Sequence, residues 1–380
     1  MKTTHTIRTI VLSMTCLVLV GGVLNLCEAQ VNEVRETPFL DTLKELELTQ
    51  EQKQKVFQLL RDYRGKYQTD QFRIKLLEVL TAEQAEMLEQ LKSPRGSRTI
   101  PDDIKADLDV VYAERPGTDS KFLSLDIYRP KKSPGKLPVI IMIHGGGWRI
   151  GDKSNLAVGL DKAKYFNRQG FVYVSINYRL TPEVQHPGHI IDVAEAVAWV
   201  HNHIKEHGGD PESLFVMGHS AGAHLAALVA TDHRRLKKHD KALSIIDGVI
   251  LLDGAGYDIP AKLKIGNSIA NSMYLSAFTK NEETQRDASP IHHVQANKSI
   301  PPFLIIPIER RADSNKMSDD LNNALLKANV KSSIHVAEGK THGSVNNDIG
   351  REKDKPTAAI MQFLNTIMIE TTDVKRADDQ

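Results

Sequence analysis

The sequence predicts an α/β fold, a mostly parallel sheet covered by helices on both faces, with a small α-helical segment ahead of it. Three observations predict it. From about Asp109 onward, short apolar runs alternate with longer helical patterns. The runs are nearly continuous, as expected for strands buried on both faces, instead of alternating polar and apolar. Two of them end in glycine-rich turns, the kind of segment that gathers function at the carboxyl edge of a parallel sheet.

The elements follow in order along the 380 residues. Lys2 and Arg8 precede an apolar run from Ile10 to Leu26, followed by "CEAQ". Small residues at Cys27 and Ala29 suit signal peptidase, which predicts a leader over 1–29, cleavage after Ala29 and a secreted or periplasmic mature chain. The run approaches spanning length, so an uncleaved anchor is the alternative. Leu26 is too bulky for the usual lipobox before Cys27. Both cysteines, Cys16 and Cys27, lie in this leader, leaving the mature chain none. Thiol catalysis and cysteine metal sites are thereby excluded. A formal net charge of +1 gives no basic balance for nucleic acid, and no membrane association is expected once the leader is removed.

Residues 37–95 are rich in Leu, Glu, Gln and Lys and predict amphipathic helices in a hairpin. "LTQEQ" at Leu48–Gln52 and "LTAEQ" at Leu80–Gln84 match each other. In each, Thr caps a helix start and Gln three residues on reaches back to its N–H, a capping box. The repeat is also similar to the LTxxQ motif of small periplasmic stress and metal-resistance proteins of the Spy type. That likeness implies a binding or sensing role, against the simpler role of a structural accessory. A linker rich in Pro, Gly and Ser over 96–108 leads to the main domain, 109–368, and a polar tail over 369–380 closes the chain.

In the main domain "DVVYAE" and "FLSLDIYRP" predict opening strands, and "LPVIIMIHGGGW" and "GFVYVSINYRL" buried parallel ones. "IIDVAEAVAWVHNHI" predicts a helix, "SLFVMGHSAG" a strand and "AHLAALVATD" the helix after it. "GVILLDGAG", "PFLIIPI" and "SSIHVAEG" complete the strand series. The long segment from about Gly254 to Ser299, between the strands "GVILLDGAG" and "PFLIIPI", is a candidate lid.

Gly218-His219-Ser220-Ala221-Gly222 is a G-x-S-x-G between an apolar strand and a helix. Its glycines permit a turn sharp enough to hold Ser220 exposed as a nucleophile. His144-Gly145-Gly146-Gly147-Trp148 also ends an apolar strand. A developing oxyanion needs two or three convergent backbone N–H groups. Gly145, Gly146 and Ala221 are the expected donors, with Gly147 as a substitute for one of the glycines. His144 is expected to brace the loop. Trp148 and His219 are expected to contact substrate, Trp148 as a wall of the acyl pocket or else as packing.

These paired motifs resemble the α/β-hydrolase esterases that carry HGGGW and GHSAG, a group including hormone-sensitive-lipase-like and feruloyl-esterase-like (BD-FAE) enzymes. "LDIYRP", "NYRL" and "HIIDVAEAVAWV" are similar to segments of the same group, and the likeness runs from Asp109 to Leu364. It implies a serine esterase acting through an acyl-enzyme on a small-molecule or carbohydrate ester, with no metal or organic cofactor. In this fold the order is Ser, acid, His, which makes His342 in "EGKTHGS" the expected base, with His335 as competitor. His224 reads as part of the nucleophile helix, and His292 and His293 precede the strand expected to carry the acid.

The acid is where the family pattern fails. Relatives place it in H-G-x-x-D after the penultimate strand, but here "PIERRAD" stands there and Arg311 occupies the aspartate position. Asp313 is the expected acid, because "RADS" resembles a "DRADT"-like turn of the BD-FAE-like branch. Glu309 at the strand end and Asp253 after the preceding strand are the alternatives.

Overall fold

The computed structural model describes residues 48–63, 70–81 and 99–378 except 134, 156, 266 and 267, together with positions 43, 84 and 88. The expected leader, its expected cleavage site and both cysteines lie outside the described residues.

In the N-terminal segment, α1 (Gln50–Asp62) and α2 (Asp70–Val79) form the predicted helices. Thr49 caps α1: its hydroxyl accepts from Gln52 N at 3.0 Å, and Gln52 Oε1 accepts from Thr49 N at 3.0 Å. Thr81 and Gln84 repeat the arrangement, at 3.2 and 3.0 Å. The two glutamines then bond each other. Gln52 Nε2 donates to Gln84 Oε1 at 2.7 Å and Gln84 Nε2 to Gln52 Oε1 at 3.2 Å, while Gln52 Nε2 also reaches Val79 O at 2.8 Å. The two motifs thus share one local pattern of hydrogen bonds and are tied to each other through their glutamines.

Eight strands form one sheet in the order β1-β2-β4-β3-β5-β6-β7-β8. They are β1 (Ile104–Val111), β2 (Ser124–Pro130), β3 (Leu137–Ile143), β4 (Val172–Ile176), β5 (Gly209–His219), β6 (Gly248–Leu252), β7 (Phe303–Ile306) and β8 (Ser332–Ile334). β2 pairs antiparallel with β1 and β4, and every other pairing is parallel. The sheet opens at Ile104, inside the expected linker. There is a register shift between Asp107 and Val110, with Asp109 at φ 55°, so the break expected ahead of the first strand is a bulge within it.

The continuous apolar runs are explained by a core on each side of the sheet. Along β3, Val139, Ile141 and Ile143 face one core, and Ile140 and Met142 the other. The first core is closed by α4 (Gly188–His203), α5 (Ala221–Thr231) and α9 (Ala312–Lys327), through residues such as Val197, Leu228 and Leu321. The second is closed by α3 (Leu160–Arg168) and α10 (Lys355–Asp378), through Phe166, Ile360 and Leu364. Between β6 and β7 lie α6 (Ile259–Ile265), α7 (Ser268–Phe278) and α8 (Glu282–Asp287), in the segment expected to be a lid.

Register decides which loops meet at the carboxyl edge. Ile143 pairs with Gly218, His219 with Leu252, and Leu252 with Ile306. The ends of β3, β5, β6 and β7 are therefore level, and the residues just beyond them are neighbours.

Candidate active site

Ser220 stands at the β5–α5 turn with φ 54° and ψ −118°, a conformation rarely adopted by a residue with a side chain. Two close approaches hold it. A Cβ on Gly222 would lie 2.1 Å from Ile143 O, so only glycine lets α5 start this near β3. Ser220 N donates to Leu252 O at 2.9 Å, anchoring the turn to β6.

His342 follows β8 and is 4 % exposed. Its Nε2 accepts from Ser220 Oγ at 3.1 Å. Its Nδ1–H donates to Asp253 Oδ2 at 2.5 Å. His219, beside the serine, donates from Nε2 to the His342 carbonyl at 2.9 Å, and the two rings lie 4.7 Å apart. His219, expected to contact substrate, is instead 2 % exposed and fixes the loop that carries His342.

Asp253 is the first residue after β6 and is fully buried, with φ 42°. Its N–H donates to Ile306 O at 2.8 Å, continuing the ladder to β7. The left-handed backbone lets that bond form while the carboxylate turns toward His342. Ser314 Oγ donates to Oδ1 at 2.6 Å, and Arg311 Nη1 lies 3.2 Å from Oδ2. Burial alone would raise the carboxyl's pKa, but the Arg311 charge and the bonds from His342 and Ser314 outweigh it and hold Asp253 well below the usual range.

The expected acid, Asp313, is not brought to His342. It lies in the first turn of α9, where an acidic side chain favours the helix dipole. Its Oδ2 accepts from Lys262 on α6 at 2.5 Å, and its Oδ1 lies 3.4 Å from Arg311 Nε. Glu309 and Arg310 are exposed. The carboxylate against His342 is therefore that of Asp253. One-dimensional comparison with the H-G-x-x-D pattern pointed to the wrong loop; the signal for the right one was "ILLDGAG", an aspartate ending an apolar strand next to the nucleophile's strand.

The oxyanion loop leaves β3 through His144, whose ring stacks on Tyr178 at 4.5 Å and whose Nδ1–H donates to Gly145 O at 2.7 Å. His144 braces the loop by these contacts. Gly146 and Gly147 have φ 110° and 60°. A Cβ on Gly147 would sit 2.5 Å from the Met273 sulfur of α7, so the insertion packs directly on this loop. Ala221 opens α5, and first-turn amides have no acceptor within their own helix.

Trp148 does not wall a pocket in this structure. It is 1 % exposed and packs edge-on against His224, Tyr274 and Phe278, with centroids 4.7–5.2 Å away. Its indole N–H donates to His224 Nδ1 at 3.3 Å, while His224 Nε2 donates to Ala288 O at 2.7 Å. Burial pushes the His224 pKa down to about 3, so the ring is neutral and can accept that bond. His292 and His293 lie ahead of β7, outside the triad geometry.

An eight-stranded, mostly parallel sheet with a serine on a strand–turn–helix elbow defines an α/β-hydrolase-fold protein. Comparison with known proteins narrows this. The BD-FAE family profile matches residues 125–315, half of the chain, and the chain belongs to that family. It is 34 % identical over 195 residues to the probable carboxylic ester hydrolase LipM of Mycobacterium tuberculosis, covering 48 % of this chain and 43 % of that protein. It is 33 % identical over 218 residues to esterase LipQ of the same organism, covering 53 % and 50 %. The chain thus spans about half the length of the curated relatives it matches. Among solved structures it resembles esterase B from Lactobacillus rhamnosis in fold, with a TM-score of 0.61 and 18 % identity over 85 % of this chain and 98 % of that one. A truncated carbohydrate esterase from gut microbiota shares the fold with a TM-score of 0.58 and 22 % identity, over 69 % and 96 %.

Proposed function

We propose that the protein is a serine carboxylic-ester hydrolase working through an acyl-enzyme, with Ser220 as nucleophile, His342 as general base and Asp253 as the orienting acid. The observation that carries it is the continuous relay Ser220 Oγ–His342–Asp253, with links of 3.1 and 2.5 Å. Ser220 attacks the ester carbonyl as its proton passes to His342 Nε2. His342 then returns that proton to the leaving alcohol, and water repeats the sequence on the acyl-enzyme. Asp253 holds the imidazole with its proton on Nδ1, leaving Nε2 free to accept. Backbone N–H groups of Gly145, Gly146 and Ala221 carry the oxyanion. The adjacency of the two loops favours this, since the Gly222 position abuts the carbonyls of Ile143 and His144. None of these steps requires a metal or organic cofactor.

The substrate is proposed to be an acetyl or feruloyl ester on a polysaccharide, acted on outside the cytoplasm. The leader sequence supports export, and a fold neighbour is titled a carbohydrate esterase. A general small-ester carboxylesterase or formamidase is the second reading, supported by curated relatives named only as ester hydrolases. A non-catalytic binding protein would not need the intact relay. Turnover of p-nitrophenyl acetate by the wild type and its loss in Ser220→Ala test the serine mechanism; survival of turnover in that variant overturns it. Acetylated and feruloylated oligosaccharides assayed beside simple esters decide the substrate class.

A further inference from the structure

At the position where the family resemblance implies the acid, this chain places a buried cation. Arg311 is the N-cap of α9 and is 8 % exposed. Its Nη1 lies 3.2 Å from both Asp253 Oδ2 and Asp253 O, and 2.9 Å from His342 Nδ1. Because Nδ1–H is directed at Asp253, the guanidinium and the imidazole are two donors meeting at one carboxylate. Their proximity to each other is repulsive once the ring is charged. On its far side Arg311 Nε meets Asp313 Oδ1 at 3.4 Å, and Asp313 Oδ2 takes Lys262 at 2.5 Å. Two carboxylates and two cations thus form a neutral cluster that runs from the acid to the insertion helix α6.

We propose that Arg311 is a positioning residue that sets the working pH of the base: its fixed charge disfavours the imidazolium and keeps His342 able to accept the Ser220 proton in more acidic conditions. The inference rests on the triad reading above. A guanidinium keeps its charge across the working range, so its field does not titrate away. Among the described residues, Asp253 and Arg311 are charged groups in contact with His342 Nδ1. Asp253 favours the imidazolium and Arg311 opposes it. His219, on the nucleophile turn, is committed to the His342 carbonyl. Ser220 is neutral. Behind Arg311 stand Asp313, which attenuates its field, and Lys262, which reinforces it. Tyr257, buried near Asp253, has its pKa pushed up by burial and stays neutral.

The test is kcat/KM for p-nitrophenyl acetate against pH in wild type, Arg311→Met, Arg311→Lys and Asp313→Asn, with Ser220→Ala as the blank. The acidic limb reports the free-enzyme base. It should move up by roughly one pH unit in Arg311→Met, stay in place in Arg311→Lys, and move down in Asp313→Asn, where one carboxylate is lost and both cations remain. A structural role alone would lower kcat/KM by one factor at every pH and leave the limb in place, which overturns the proposal. If Arg311→Met fails to fold by thermal melting, Asp313→Asn decides: a limb unmoved or shifted upward refutes the role. A refuting profile in an enzyme that Ser220→Ala silences removes only the Arg311 role. Turnover surviving Ser220→Ala removes the triad reading itself.

Discussion

The ends of β6 and β7 lie side by side in register and both lead into carboxylates, yet they do different work. After β6, Asp253 is buried with its carboxylate on His342. After β7, Glu309 is exposed and Asp313 turns away to Lys262. The residue type is shared; the backbone direction is not. Asp253 sits at positive φ directly after its strand, still bonded to β7, so its side chain emerges over the sheet edge. Asp313 is already inside a helix, where its direction is set by the axis of α9. The acid of a triad is thus assigned by where a strand end aims a side chain, and only secondarily by its place in a motif.

The comparison can be broken most severely at Asp253. Asp253→Asn should lower kcat by on the order of 10³–10⁴, since a neutral amide no longer stabilises the imidazolium and its NH2, when turned to Nδ1, favours the wrong tautomer. Steady-state turnover of p-nitrophenyl acetate measures it, with unchanged circular dichroism excluding misfolding. The next effect is a rescue. Adding Arg311→Asp to Asp253→Asn puts a carboxylate at the aspartate position of the H-G-x-x-D pattern, beside His342, and should restore kcat by about tenfold, a coupling only neighbouring sites show. No recovery would mean that the β7 loop cannot aim an acid at His342. Asp313→Asn should leave plateau kcat within about twofold, its effect confined to the pH limb, because it touches the base only through Arg311. The smallest effect is expected for Glu309→Gln: exposed and remote from the relay, it should change kcat/KM within assay error. A large loss there would return the assignment to the β7 loop.

Much of the fold was legible because the signals are local. Unbroken apolar runs announced strands buried on both faces, and G-x-S-x-G and HGGG mark turns whose glycines are needed by contacts a few ångströms away. The start of the sheet was misplaced because the bulge at Asp109 interrupts β1, and α3 went unread because its polar face dominates "LDKAKYFNR". The G-x-S-x-G motif singled out Ser220 and chain order singled out His342, and the structure brings their side chains to 3.1 Å. The carboxylate beside His342 was legible only as an alternative to Asp313, because the choice depends on strand register and on one φ angle that the sequence does not display. His219 was misread for a related reason, and of the two readings of Trp148, pocket wall or packing, the structure shows packing. Proximity in sequence to the nucleophile and the glycine loop suggested substrate contact, whereas both side chains turn inward, one to a carbonyl and one to an aromatic cluster.

The reciprocal bond between Gln52 and Gln84 has a consequence for how this chain can change. Each amide is both a helix cap and half of a buried pair, so replacing either one strands polar groups on its partner. Replacing both removes the two amides together, so that only the backbone groups they serve, the N–H of Thr49 and of Thr81 and the Val79 carbonyl, lose a partner. The two positions therefore form an epistatic unit in which the double step costs less than the sum of the two single steps. Drift away from LTxxQ should occur in both repeats together or in neither.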